Sequence, residues 1–211
     1  MVLILGFILV RDNMSTFKFW EFGLIHNLPW MRFTENGMVL ITLGLMSLIL
    51  TGGIVFLQKD RQKLLFWISD QKLKSYLVGV AGAAIVVLPF WLIYLGMPLE
   101  ERGGSFPKVI LPFLLFFALS GNLMEEVLFR GYLQGYFETV TSSIRAAFLA
   151  ALFFYAGHIF LATTVTGLGL PLLLFTLYEG IICSFVQRKH GILPSTLTHG
   201  LAIFLLSAAL F

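Results

Sequence analysis

Long apolar runs alternate with short charged stretches along this chain. Met38–Leu57 and Tyr76–Met97 carry no charge and are long enough to cross a bilayer. Further apolar runs cover Val109–Phe137, Ala146–Val165, Leu170–Val186 and Ile192–Phe211, so six spanning helices are expected, with no internal repeat. Gly167 and Gly169 punctuate a turn, and Pro112 is placed to kink the third span. Between the first two spans lie Lys59, Arg61, Lys63, Lys72 and Lys74 against only Asp60 and Asp70. That excess of cations marks the Gln58–Ser75 loop as cytoplasmic, and Arg188 and Lys189 fall on the same side.

The N-terminal stretch breaks the pattern. Met1–Val10 is apolar but too short to span, and it lacks the basic start and small-residue cleavage site of a signal peptide. It reads as an interfacial segment or part of a longer helix. Arg11–Gly37 mixes charges with Phe17, Trp20, Phe22, Trp30 and Phe33, which suits the aromatic belt of a membrane surface, with His26 an ordinary interfacial histidine.

Composition sharpens the class. Hydrophobic residues make up 58% and charged residues 12%, with a mean hydropathy of +0.92, far from the roughly one-quarter charge of soluble domains. The fold class is therefore all-α, a polytopic membrane helical bundle of about six helices plus the N-terminal interfacial segment. The expected division is 1–37 as that segment, 38–104 as two accessory helices and 105–211 as a four-helix core. The net charge of +3 sits in cations flanking apolar runs, a topology signal and no nucleic-acid patch. Cys183 is the single cysteine, so there is no disulfide framework.

Against this background the charges inside spans stand out. A charged group near the bilayer centre costs about 2.5–3.5 kcal/mol on insertion scales, so each is a functional candidate. Glu125 and Glu126 are adjacent, with Arg130 four residues after Glu126 and thus on its helix face, able to pair with it. Glu125 points about 100° away and is not served by that partner. A simple Glu–Arg clamp fixing a helix is the plain alternative. His158, Glu179 and His199 complete the set. At about 1.5 Å per residue through a core of about 30 Å, Glu125 lies roughly 6 Å, His199 roughly 10 Å and His158 roughly 18 Å from the inner edges of their spans. One polar pocket toward the cytoplasmic half could hold all three. A lone intramembrane histidine is usually a helix–helix contact, but a carboxylate with two imidazoles supports hydrolysis. The carboxylate acts as general base toward water, one imidazole orients the water and another donates to the developing oxyanion. The same donors could hold a divalent metal such as zinc.

At these residues the sequence resembles the CAAX-protease and bacteriocin-processing (CPBP, or Abi) family of intramembrane proteases. Its EExxxR motif reads Glu125-Glu126-Val-Leu-Phe-Arg130, followed by Gly131, and its FxxxH motif reads Phe154-Tyr-Ala-Gly-His158. The third motif, HxxxN or HxxxD, is met only in part by His199-Gly-Leu-Ala-Ile203. Gly180–Pro194 also resembles the family's helix-turn-helix before that motif, and the resemblance covers about residues 105–211. It implies that Glu125 activates water, His158 holds and polarises it, His199 helps bind the oxyanion, and Glu126 and Arg130 orient the site. Phe154 and Asn122 would support it. Both metal-dependent and metal-free activation are consistent with the family, so zinc at Glu125, His158 and His199 stays open. The implied partners are a membrane-bound or lipidated peptide or protein substrate and the lipid bilayer. The implied setting is a multi-pass integral membrane protein, in the plasma membrane if the source is bacterial, with its site toward the cytoplasm.

Ile203 departs from the pattern. Losing one oxyanion donor typically costs about 10²–10³ in rate. Asn122, Tyr155 and Ser195 are candidate substitutes, and Glu179 either compensates or pairs with a neighbouring helix. The alternative function is a catalytically impaired member acting as a membrane immunity or binding protein, which Ile203 favours and the retained Glu125, Glu126, His158 and His199 oppose. No HExxH or GxSG motif is present and no Asp lies in a span, which disfavours other protease classes. Few polar residues in the first two spans disfavour a transporter. The topology makes a direct prediction: cysteines at Lys63 and Lys189 resist a membrane-impermeant thiol reagent in intact cells, and strong labelling of both would invert it.

Overall fold

A computed structural model describes residues 19–210. Two strands, β1 (Trp20–Ile25) and β2 (Leu28–Phe33), precede seven helices. These are α1 (Gly37–Leu57), α2 (Lys72–Tyr94), α3 (Leu111–Glu126), α4 (Gln134–Val140), α5 (Ser143–Gly157), α6 (Leu170–His190) and α7 (Ile192–Ser207). A π-helical segment, Val127–Leu133, joins α3 to α4, so the two run as one span of 33 residues from Lys108 to Val140. Five helical stretches are long and apolar enough to cross a membrane, and α7 is a shorter apolar helix. The chain is an integral membrane protein of helical architecture.

The expected interfacial belt is in fact an antiparallel β-hairpin, pairing Trp20 with Phe33 through Ile25 with Leu28. Its turn residues His26 and Asn27 have φ of 48° and 63°, the left-handed pair that a two-residue hairpin turn requires. Aromatic density disguised the alternation, because the same residues suit a membrane surface. Met1–Val10 and Phe17 lie outside the described residues.

The hairpin seals one end of the bundle. Arg32 donates to the carbonyls of Arg102 and Ser207, at 3.4 and 3.2 Å, and the Tyr94 hydroxyl donates to the Pro29 carbonyl at 3.1 Å. The Phe33 ring meets Phe117 edge-on at 5.1 Å. Burial holds the Arg32 guanidinium below its ordinary pKa, as does the charge of Arg102, while Glu35 acts in the opposite sense. Burial likewise lowers Arg102, which stacks over the Tyr94 ring at 4.6 Å.

The other end gathers the basic segments. Ile192 and Leu193 donate backbone hydrogen bonds to the Phe66 and Trp67 carbonyls, and Ser69 donates to the His190 carbonyl. The α1–α2 loop and the α6–α7 turn thus sit together, as their shared charge led one to expect. Gly191, at φ 100°, brings the turn against the loop, where a Cβ would fall 2.6 Å from the Trp67 carbonyl oxygen.

Inside, small residues let helices close. With no water to expel between spans, association depends on packing, which small side chains favour. Gly79 and Gly82 of α2 lie against Pro194 and Thr198 of α7, and Gly200 lies against the Ala118 carbonyl of α3. Ala146, Ala147, Ala150 and Ala151 form the buried face of α5, which packs on α6. The glycine contacts hold α7, the helix that carries His199, against α2 and α3. At Gly135 a Cβ would fall 2.4 Å from the Leu64 backbone oxygen, whereas at Gly52 it meets nothing within 4 Å. Gly135→Ala therefore lowers stability by about 1–3 kcal/mol, as overpacking does. Gly52→Ala is neutral or stabilising by up to about 1 kcal/mol. Thermal unfolding in detergent compares the two.

Candidate active site

Glu126 is the centre of a buried polar network. Its Oε1 lies 3.1 Å from Arg130 Nη1 and 2.9 Å from His199 Nδ1, and its Oε2 accepts from the Ser195 hydroxyl. The Ser195 hydroxyl also contacts the Cys183 carbonyl at 2.9 Å. Glu126, Arg130 and Ser195 are wholly buried. The expected Glu126–Arg130 pair is therefore present, and it also holds His199. Arg130 lies 4.0 Å over the Phe154 ring and reaches the Gly180 carbonyl at 3.4 Å. A Cβ at Gly180 would fall 3.1 Å from Phe154, so glycine there keeps the ring and the guanidinium in contact.

Phe154 is the spacer between the two histidines. Its ring lies 4.4 Å from His158 and 5.6 Å, edge-on, from His199, and Phe129 supports it at 5.1 Å. His158 stands at the C-cap of α5, where its Nδ1 lies 2.9 Å from the Phe154 carbonyl. A carbonyl only accepts, so Nδ1 carries a proton, and whenever the ring is neutral Nε2 is an acceptor. The π-helical segment Val127–Leu133 begins within the first motif and carries Arg130, and a second, Leu161–Val165, follows the second motif. Such segments are frequent at functional sites.

Glu125 faces away from the Glu126 network into a cavity that it shares with His158, His199, Glu179 and Ile203. This juxtaposition of Glu125, His158 and His199 is the one expected from the charged positions. The cavity offers about 40 Å³ to the centres of water molecules, enough to hold water. Its remaining walls are Leu161, Leu172, Phe175 and Thr176, and its roof is the hairpin, through Trp20, Phe22, Met31 and Phe33. Leu172, Phe175 and Thr176 belong to the first half of α6 and Ile203 to the second half of α7. The cavity thus extends toward the hairpin end, and the expected opening toward the basic end has no counterpart in its lining. The residue count misjudged depth because the helix runs unbroken through the π segment to Val140, which leaves Glu125 near the middle of its span.

The supporting residues divide. Asn122 donates to the Ala118 carbonyl of its own helix at 2.7 Å and is not part of the cavity wall, nor is Tyr155. Ser195 anchors Glu126 and so does not serve the cavity. Glu179 lines the cavity with its Oε2 3.4 Å from His199 Nε2. Its charge within a span was the signal. The hairpin roof carried no comparable signal, since nothing local ties residues 20–33 to helices so distant in sequence.

Glu126, Cys183 and His199 bring donor atoms within 4.8 Å of one another. They do not fit a metal ion, because Arg130 already neutralises the same carboxylate oxygen that His199 contacts. Glu125, His158 and His199, where zinc is expected, share one cavity, with His199 Nδ1 on Glu126 and its Nε2 3.4 Å from Glu179.

A carboxylate and two imidazoles beside room for water are groups that can support hydrolysis. Residues 107–205 match the family model described as type II CAAX prenyl endopeptidase, Rce1-like. That segment is similar to the family its motifs resemble. No curated protein and no solved structure matches the chain.

Removing one partner of a buried ion pair leaves an uncompensated charge and costs about 3–5 kcal/mol. Arg130→Met lowers stability by that amount in thermal unfolding. Arg130→Lys recovers only part of it, because a lysine keeps the charge but not the flat stack on Phe154.

Proposed function

We propose that the chain is an intramembrane endopeptidase of the CAAX-protease type, hydrolysing a peptide bond of a membrane-associated or lipidated substrate. The match of residues 107–205 to the prenyl endopeptidase family model supports protease activity at the level of class. The observation that carries the specific reading is the shared cavity of Glu125, His158 and His199.

In this reading Glu125 takes a proton from water while His158 Nε2 accepts the second hydrogen and sets the direction of attack. Water oxygen bonds to the carbonyl carbon, and the negative charge that builds on the carbonyl oxygen meets the N–H of His199. Collapse breaks the carbon–nitrogen bond, and the proton held by Glu125 passes to the leaving amine. Glu126 and Arg130 keep His199 aimed throughout. The apolar roof of Trp20, Phe22, Met31 and Phe33 suits apolar side chains or lipid beside the scissile bond. The basic end faces the cytoplasm in this reading, on the balance of its lysines and arginines.

An impaired member that binds without cleaving is the second reading, and Ile203 on the cavity wall favours it. Cleavage of a panel of membrane-bound peptides in lipid separates the two. Wild type cleaves at least one peptide, and Glu125→Gln, which keeps size but removes the base, lowers turnover by about 10²–10⁴. The variant still folds and inserts, because an amide is cheaper to bury than a charge. Unchanged turnover removes Glu125 from the mechanism.

A further inference from the structure

The cavity wall contains a second carboxylate that the steps above leave unused. Glu179 projects from α6 at 2% exposure, and its Oε2 lies 3.4 Å from Nε2 of His199. His199 is therefore suspended between two carboxylates, Glu126 on Nδ1 at 2.9 Å and Glu179 on Nε2. Ile203, one turn beyond His199, lines the same cavity and offers no hydrogen bond. Other polar side chains nearby are committed elsewhere. The Thr176 hydroxyl donates to the Leu172 carbonyl at 2.6 Å, Ser195 contacts Glu126 and the Cys183 carbonyl, and Asn122 donates to Ala118.

We propose that Glu179 is the positioning residue for His199, supplying from a different helix the polar partner that position 203 lacks. The inference rests on the hydrolytic reading of the site. The two contacts on His199 divide its work. The short one to Glu126 fixes the ring. The one to Glu179 exceeds the usual 2.7–3.2 Å of an N–H···O bond, so it aims the Nε2 proton without holding it tightly. As charge grows on the substrate oxygen, the same N–H is shared with it, and the Glu179 carboxylate stabilises the doubly protonated ring. A buried carboxylate is costly to keep in a span, and orienting His199 gives this one a task.

A purely structural tie between α6 and α7 is the competing account, and rescue distinguishes them. Turnover and KM are measured on a cleaved peptide with the full chain in lipid nanodiscs. Glu179→Gln lowers turnover by about tenfold or more with KM little changed, the pattern of a lost transition-state contact. Adding Ile203→Asp to that variant restores several-fold of the loss, because it returns a carboxylate to the same cavity. Ile203→Asn alone brings none of the gain of about 10²–10³ of a restored oxyanion donor, since Glu179 already fills the role. That arm decides the question even if Glu179→Gln fails to fold. Glu179→Gln turnover above half of wild type, a folded double variant without rescue, or an Ile203→Asn gain approaching the 10²–10³ of a restored oxyanion donor each overturns the inference. Those outcomes leave the protease reading intact, whereas wild type that cleaves no peptide overturns both.

Discussion

The buried ion pair of Glu126 and Arg130 is the constraint on which the rest of the site depends. Two charges in a lipid-embedded core are tolerable only when each is matched and hydrogen-bonded. Here the matching recruits groups from other helices: Ser195 and His199 from α7, the Gly180 carbonyl from α6 and the Phe154 ring from α5. Four helices are thereby held in one register. The same contacts that satisfy the charges also aim the two histidines, so electrostatic satisfaction and site geometry are one arrangement.

Small residues make the arrangement reachable. The glycines of α2 bring α7 close, Gly200 brings α7 to α3, and the alanine face of α5 brings Phe154 to Arg130. The polar network then sits where water does not screen it, and hydrogen bonds in such surroundings are strong and directional. Beside it, the Glu125 cavity keeps room for water beneath an apolar roof. Successive helix residues face different ways, so of the two adjacent glutamates one enters the Arg130 network and the other lines the cavity.

Much of this was legible in the sequence because charge inside an apolar run is a loud signal. Glu125, Glu126, Arg130, His158, Glu179 and His199 could all be picked out by that test, and their helical spacing gave the Glu126–Arg130 pair correctly. Which charge served which partner was not legible. The bonds from His199 to Glu126 and Glu179 join positions far apart in the chain, and no local rule predicts a distance between α3, α6 and α7. The hairpin was hidden for a different reason. Trp20, Phe22, Trp30 and Phe33 suit a membrane surface as well as a strand, and only tertiary contact with Tyr94, Phe117 and Ser207 decides between them. Asn122 misled because proximity along a helix does not set the direction of a side chain, and its amide turns back to Ala118.

The central claim is that a water molecule activated in this cavity attacks the substrate directly. Single-turnover cleavage of a membrane-bound peptide in ¹⁸O-labelled water, followed by mass spectrometry of both peptide and protein, tests it. The account predicts one labelled oxygen in the new carboxyl group and no mass added to the protein at any time during turnover. A transient acyl adduct on the protein, or a product carboxyl without label, would contradict it.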